Sequence, residues 1–273
     1  MSRIENKLTE LKEKRQAAFI PYVMAGDPDL GTTARIVLEL EKSGADIVEL
    51  GVPFSDPLAD GPTIQRAAIR ALKQKVNLRK TFALVKELRK SSEIPVILML
   101  YYNLVHKYGE EKFAEDAMRA GVDGFIVPDL PPEEASALSG HCESRGLDLI
   151  FLLAPTSDDD RINIVAKSGG GFIYYVSLTG VTGARASMST GIDKAVRKIK
   201  RMSKKPVCVG FGISNPEQAG EMAKIADGVI VGSAIVGKIE KAASPEEAVR
   251  EAGKFARELK AGIIKAGHRL PKA

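Results

Sequence analysis

The chain reads as an α/β protein, a single-domain (β/α)8 TIM barrel spanning residues 1–273. Three observations carry that reading. Eight short apolar runs alternate with amphipathic segments from end to end. Most of the runs are near-continuous in Val, Ile, Leu and Phe, the pattern of parallel strands covered on both faces. No composition shift or Ser/Gly-rich linker divides the 273 residues, a length that suits one closed barrel. A doubly wound sheet is the alternative, because period alone does not show closure; the count of eight favours the barrel.

The expected strands are Ala18–Ala25, Ile47–Val52, Pro95–Tyr102, Gly124–Pro128, Asp148–Ala154, Gly171–Ser177, Pro206–Phe211 and Asp227–Val231. Helical stretches between them include Thr32–Lys42, a helix starting near Pro62, Glu110–Ala120, Glu133–Arg145, Ile192–Met202 and Glu217–Ala226. Gly44, Gly121, Gly146 and Gly169 fit C-cap positions, where a glycine takes the left-handed turn at little cost. An extra N-terminal helix, Ile4–Arg15, precedes the barrel, and a helix over Pro245–Lys265 closes it, with Ser244 as N-cap and Pro at the next position. A short helix, Ala234–Glu240, follows the eighth strand.

Composition narrows the function classes. Hydrophobic residues make up 44% and aromatics only 5%, so aliphatic side chains must fill the core. The formal charge of +5 is spread over helix-like segments without interleaved aromatics, so no nucleic-acid partner is expected. There is no signal-type N-terminus and no apolar run of membrane-spanning length, so neither a membrane nor export is expected. Two cysteines, Cys142 and Cys208, in different elements suggest no disulfide framework and a reducing cytoplasm.

The most informative stretch runs from Ile47 to Gly61, IVELGVPFSDPLADG. Glu49 sits inside an apolar run, where a charge is costly and must be paired or put to use. Alternation puts Ile47, Glu49 and Gly51 on one face. If that face is the interior, Glu49 points into the barrel mouth, where barrel active sites lie. Asp60 lies on the following loop. Two carboxylates in different surroundings can divide acid and base roles. The plainer alternatives are an Arg partner for Glu49 and helix capping for Asp60.

Three Gly-rich turns follow strands six, seven and eight: Thr179–Gly183, Gly210–Ser214 and Val231–Ile235. Glycines let backbone amides approach a ligand, and a following helix N-terminus favours an anion, so a phosphate cradle is expected. No expected strand carries a Lys for a Schiff base. His106, His141 and His268 are scattered without ligand spacing, so no metal site is expected. A phosphorylated small molecule handled by two carboxylates remains. The alternatives are another phosphate-binding barrel enzyme and a non-catalytic subunit that activates a partner.

The segment 48–61 resembles the signature of the tryptophan synthase α-subunit family. Pro21–Pro28, Tyr102-Asn103, Val127–Pro131, Gly180–Arg185, Gly210–Ser214 and Gly232–Val236 extend that resemblance over essentially the whole length. It implies a lyase of tryptophan biosynthesis that cleaves indole-3-glycerol phosphate to indole and glyceraldehyde 3-phosphate by a retro-aldol reaction. It further implies Glu49 as acid and then base, and Asp60 as acceptor of the indole N–H. Gly183, Gly212, Gly232 and Ser233 would hold the phosphate. Tyr22, Leu100, Ile126, Tyr174 and Phe211 would line the indole pocket, and Thr182 would belong to a closing lid. The family works as an α2β2 assembly in the cytoplasm. By resemblance this chain carries no cofactor, and pyridoxal phosphate belongs to the β partner. The docking face is expected to include Phe54–Leu58 and Asn103–His106.

Overall fold

The structure, a computed structural model, describes residues 1–176, 185–210 and 212–267, the side chains of 185–190 excepted. The chain opens with α1 (Arg3–Glu13), β1 (Ala18–Met24), α2 (Leu30–Lys42) and β2 (Val48–Gly51). Two helices follow, α3 (Pro62–Lys73) and α4 (Leu78–Leu88), then β3 (Val96–Met99), α5 (Tyr102–Tyr108), α6 (Glu110–Ala120) and β4 (Gly124–Ile126). The second half runs α7 (Ser136–Glu143), β5 (Asp148–Ile150), β6 (Leu152–Leu153), α8 (Asp159–Ser168), β7 (Ile173–Val176) and α9 (Arg185–Ser203). It finishes with β8 (Val207–Gly210), α10 (Pro216–Ala223), β9 (Gly228–Val231), α11 (Ser233–Lys241) and α12 (Pro245–Ala266).

All strand pairs are parallel, in the order β5-β4-β3-β2-β1-β9-β8-β7-β6. The two ends of that order, β5 and β6, are consecutive in the chain and separated only by Phe151, whose carbonyl accepts from Tyr174 N–H at 3.1 Å. The sheet therefore returns on itself, and the expected fifth strand is present as two segments around one residue. Nine segments occupy eight strand positions, as a (β/α)8 barrel requires.

Two apolar layers follow from the alternation of side chains along parallel strands. Ala18, Ile20, Ile47, Ile97, Ile126, Ile150, Phe172, Cys208 and Ile230 fill the interior. Their outward neighbours, among them Phe19, Val48, Leu50, Val96, Leu98, Phe125 and Val209, pack beneath the helices. Helix α1 contributes Ile4, Leu8 and Leu11 to the inner layer. Its Ser2 N-cap forms a capping box with Glu5, and Ser2 Oγ donates to Asp148 at the start of β5 at 2.5 Å. Arg3 and Arg89 both reach Asp123, which also accepts from Val96 N–H at 2.7 Å. These contacts lie at the N-terminal ends of the strands, so α1 plugs that end and leaves the C-terminal end open.

Three of the four glycines expected at helix ends take the left-handed region, Gly44 at φ +96°, Gly121 at +87° and Gly146 at +68°. Gly169 does not: it ends α8 in extended backbone at φ −115°. Its constraint is space, because a Cβ there would lie 2.9 Å from the Leu149 carbonyl oxygen. No helix among the described residues is long and apolar enough to cross a membrane.

Candidate active site

At the open end of the barrel Tyr22, Glu49, Asp60, Met99, Tyr174, Gly210, Gly212, Ile230, Gly232 and Ser233 surround a cleft of about 260 Å³. Residues Glu49 and Ile97 are register partners, as are Tyr22 and Glu49, so Glu49 sits at the level where β1, β2 and β3 pass inner-layer side chains toward the mouth. Its face is the interior one, shared with Ile47.

Glu49 is 1% exposed, and among the described residues its Oε2 is the one buried side-chain oxygen or nitrogen without a hydrogen-bond partner. An unpaired carboxylate in such a place resists ionisation. Burial first, then the charge of Asp60, pushes the Glu49 carboxyl up to about 8. Asp60, in the loop between β2 and α3, is half-buried; burial raises it to about 6, while the Tyr101 hydroxyl acts in the opposite direction. The two carboxyls therefore differ in their ordinary state near neutrality, one protonated and one ionised. Among the described residues neither of the plainer roles appears: Glu49 has no Arg partner, and the α3 N-cap is Gly61 with no side-chain cap bond.

Two phenols flank Glu49, and glycines make room for them. A Cβ at Gly51 would overlap the Tyr22 hydroxyl, and one at Gly210 would lie 2.5 Å from the Tyr174 hydroxyl. Burial raises both phenols well above 10, with the negative charge of Glu49 adding to it. Both stay protonated and present neutral O–H groups beside the carboxyl.

The anion end of the cleft is made of backbone. Gly212 adopts φ +41°, and space around its Cα is open enough that a Cβ would meet nothing within 4 Å. Gly232 precedes α11, whose first turn carries no side-chain cap, so the Ser233 end of that helix presents its amides to the cleft. Unpaired amides at a helix N-terminus attract an anion. The helix is pinned in place from behind: Glu240 accepts from Arg66 at 2.7 Å and from Arg70 at 2.8 Å, and Arg70 also grips the buried Asp27 at 2.7 and 2.8 Å.

Of the expected site residues, Glu49, Asp60, Tyr22, Tyr174, Gly212, Gly232 and Ser233 meet around this one cleft. Ile126 belongs to the inner layer without lining the cleft. Leu100 has the outward parity of Leu98 and packs with the outer layer, while Met99, one residue earlier, takes the cleft-facing place. A shift of one residue along a strand exchanges faces. Gly183, Thr182 and Phe211 lie outside the described residues. Sequence reasoning passed over Met99 and Tyr101, although strict alternation from Ile97 marks the first of them.

Residues 8–264 match the family model described as tryptophan synthase alpha chain. The chain is 53% identical to the tryptophan synthase alpha chain of Geobacter sp. strain M21, over 97% of this chain and 99% of that one. It is 49% identical to that of Geobacter sulfurreducens, over 96% and 99%. A crystal structure of the tryptophan synthase alpha subunit from Legionella pneumophila superposes with a TM-score of 0.90 at 40% identity, covering 97% of this chain and 99% of that one. A Mycobacterium tuberculosis tryptophan synthase structure superposes with a TM-score of 0.87 at 38% identity, covering 96% of this chain and 98% of that one. Family model, near-full-length identity and superposition agree: the chain belongs to the tryptophan synthase alpha chain family.

Proposed function

We propose that the cleft between Glu49, Asp60 and Ser233 is where this chain cleaves indole-3-glycerol phosphate to indole and glyceraldehyde 3-phosphate. The lyase reaction goes with the family; the placing of its roles on these residues is our reading. The observation that carries it is the buried, unpaired Glu49 Oε2 in a cleft whose far side is a helix N-terminus.

The protonated Glu49 gives its proton to the C3 carbon of the indole, which weakens the bond from C3 to the side chain. The carboxylate so formed then takes the proton of the side-chain hydroxyl, the carbon–carbon bond breaks, and the aldehyde forms. Asp60 accepts a hydrogen bond from the indole N–H and offsets the positive charge that grows on the ring during protonation. Amides near Gly212, Gly232 and Ser233 hold the phosphate, joined by Gly183 on the strength of family resemblance. Tyr22 and Tyr174 bound the indole with Met99, and Thr182 and Phe211 are placed by resemblance alone.

No step needs a cofactor in this chain. The product indole passes to the β subunit of an α2β2 assembly, where pyridoxal phosphate serves the synthesis of tryptophan. We place the enzyme in the cytoplasm and treat residues 1–273 as one folding unit.

An indole-release assay on the purified chain, with and without β, tests the reading. Glu49→Gln lowers kcat by at least about 10³-fold, within the range lost when a general acid–base group is removed, and keeps its affinity for glyceraldehyde 3-phosphate. Wild-type turnover in that variant would refute the assignment.

A further inference from the structure

Tyr101 stands between β3 and α5, and its side chain leaves its own strand end to meet the loop after β2. We propose that Tyr101 is a positioning residue for the reaction, a strap that holds the β2–α3 loop over the cleft and aims the Asp60 carboxylate at the indole nitrogen. The inference rests on the role given to Asp60 above.

The strap touches the loop at both ends. Tyr101 Oη accepts from Ala59 N–H at 2.9 Å, across 42 positions of sequence. An oxygen that accepts from a backbone amide keeps its own proton for a second partner, and the Asp60 carboxyl next door feels that hydroxyl, which acts against the burial that raises it. At the other end of the loop the Tyr101 ring stacks on Phe54, with centroids 5.3 Å apart and planes at 29°. Tyr101 itself is 6% exposed, so the strap is anchored in the barrel.

Where the loop leaves β2, Val52 N–H donates to Met99 O at 2.9 Å; among the described residues the other hydrogen bonds of the loop, beyond that root, are local. Leu58 N–H reaches Asp56 O, Asp60 N–H reaches Pro57 O, Ser55 reaches Asp56, and Gln65 reaches Asp60 O. None of these ties the loop to another strand. The loop is otherwise open to solvent, with Leu58 96% exposed. A carboxylate on such a loop needs an external reference to hold an angle, and the phenol supplies it. A donated hydrogen bond also stabilises the charged form of the acid, opposing the burial that would neutralise it.

The measurement is the pH dependence of kcat/KM for indole release in the full-length chain, with Tyr101→Phe, Asp60→Asn and the double variant. Tyr101→Phe keeps the stack on Phe54 and removes only the hydroxyl. We expect kcat/KM near pH 6.5 to fall about tenfold, the loss of one hydrogen bond to a charged group. The acid limb moves to higher pH, and the double variant loses no more than Asp60→Asn alone. A carboxyl-carbon NMR titration of Asp60 reads the same shift without turnover. An unmoved Asp60 titration or acid limb, or a full second loss in the double variant, overturns the inference. Failure of the wild-type chain to release indole would instead overturn the proposed reaction, and this inference with it.

Discussion

Burial lifts the Glu49 carboxyl to about 8 from an ordinary value of 4.5, so between those values the folded chain holds a proton that the unfolded chain has released. The sign follows directly: the folded state binds more protons there, and stability falls as pH rises through that interval. Asp60, raised to about 6 from 3.8, adds a smaller loss over a lower interval. Glu49→Gln removes the larger of these. It is expected to raise the melting temperature at pH 8 by several degrees, on the order of 2–4 kcal/mol, and to leave it nearly unchanged at pH 4. Calorimetry at the two pH values checks this; equal shifts at both would mean the side chain is not titrating in that interval. The same two groups frame activity, with Asp60 needed as the anion and Glu49 as the acid. The wild-type kcat/KM profile is expected to be bell-shaped with limbs near 6 and 8, macroscopic values that belong to the pair. A profile flat from pH 5 to 9 would contradict the division of roles.

Strands β2 and β8 bring glycine to the mouth where their neighbours bring tyrosine, and the pairing is steric. Gly210→Ala forces the Tyr174 ring from its place beside Glu49, at a cost of about 1–3 kcal/mol for overpacking and with loss of turnover. Gly210→Ala with Tyr174→Leu should lose less stability than the two single variants added together, a coupling that urea titration of the four proteins measures. Strict additivity would show that the ring has room to move. This is also where the sequence was partly legible. The strands announce themselves because both faces are apolar, and Glu49 stands out as the charge among them. Gly51 shares the face of Glu49 by alternation, and the space beside it is taken by a phenol from β1, a contact between residues 29 positions apart that no local pattern carries. The break at Phe151 and the extended Gly169 were hidden for the same reason: both answer to neighbouring segments, through the Tyr174 amide and the Leu149 carbonyl. Tyr101 is set apart only by the loop it meets, 42 positions away in the chain.

Across the whole molecule the working face is the C-terminal rim, and its exposed chemistry is uneven. Leu58 is 96% exposed beside the half-buried Phe54 and Pro57, on the same loop that carries Asp60. An apolar side chain held fully in water at the mouth suits a covered surface. Pro57→Asp is expected to weaken association with β by at least about tenfold while leaving the far-UV spectrum and melting temperature of the isolated chain unchanged. Unaltered complex formation in analytical ultracentrifugation would move the docking face elsewhere.

Because α1 seals one end of the barrel, the molecule is a cup with a single lip. Among the described residues the inner layer against α1 is buried, so whatever enters and whatever is made crosses that lip. A protein seated on the rim would therefore govern arrival and departure together, so capturing the small aromatic product demands no passage bored through this chain, only a neighbour whose own opening faces the brim.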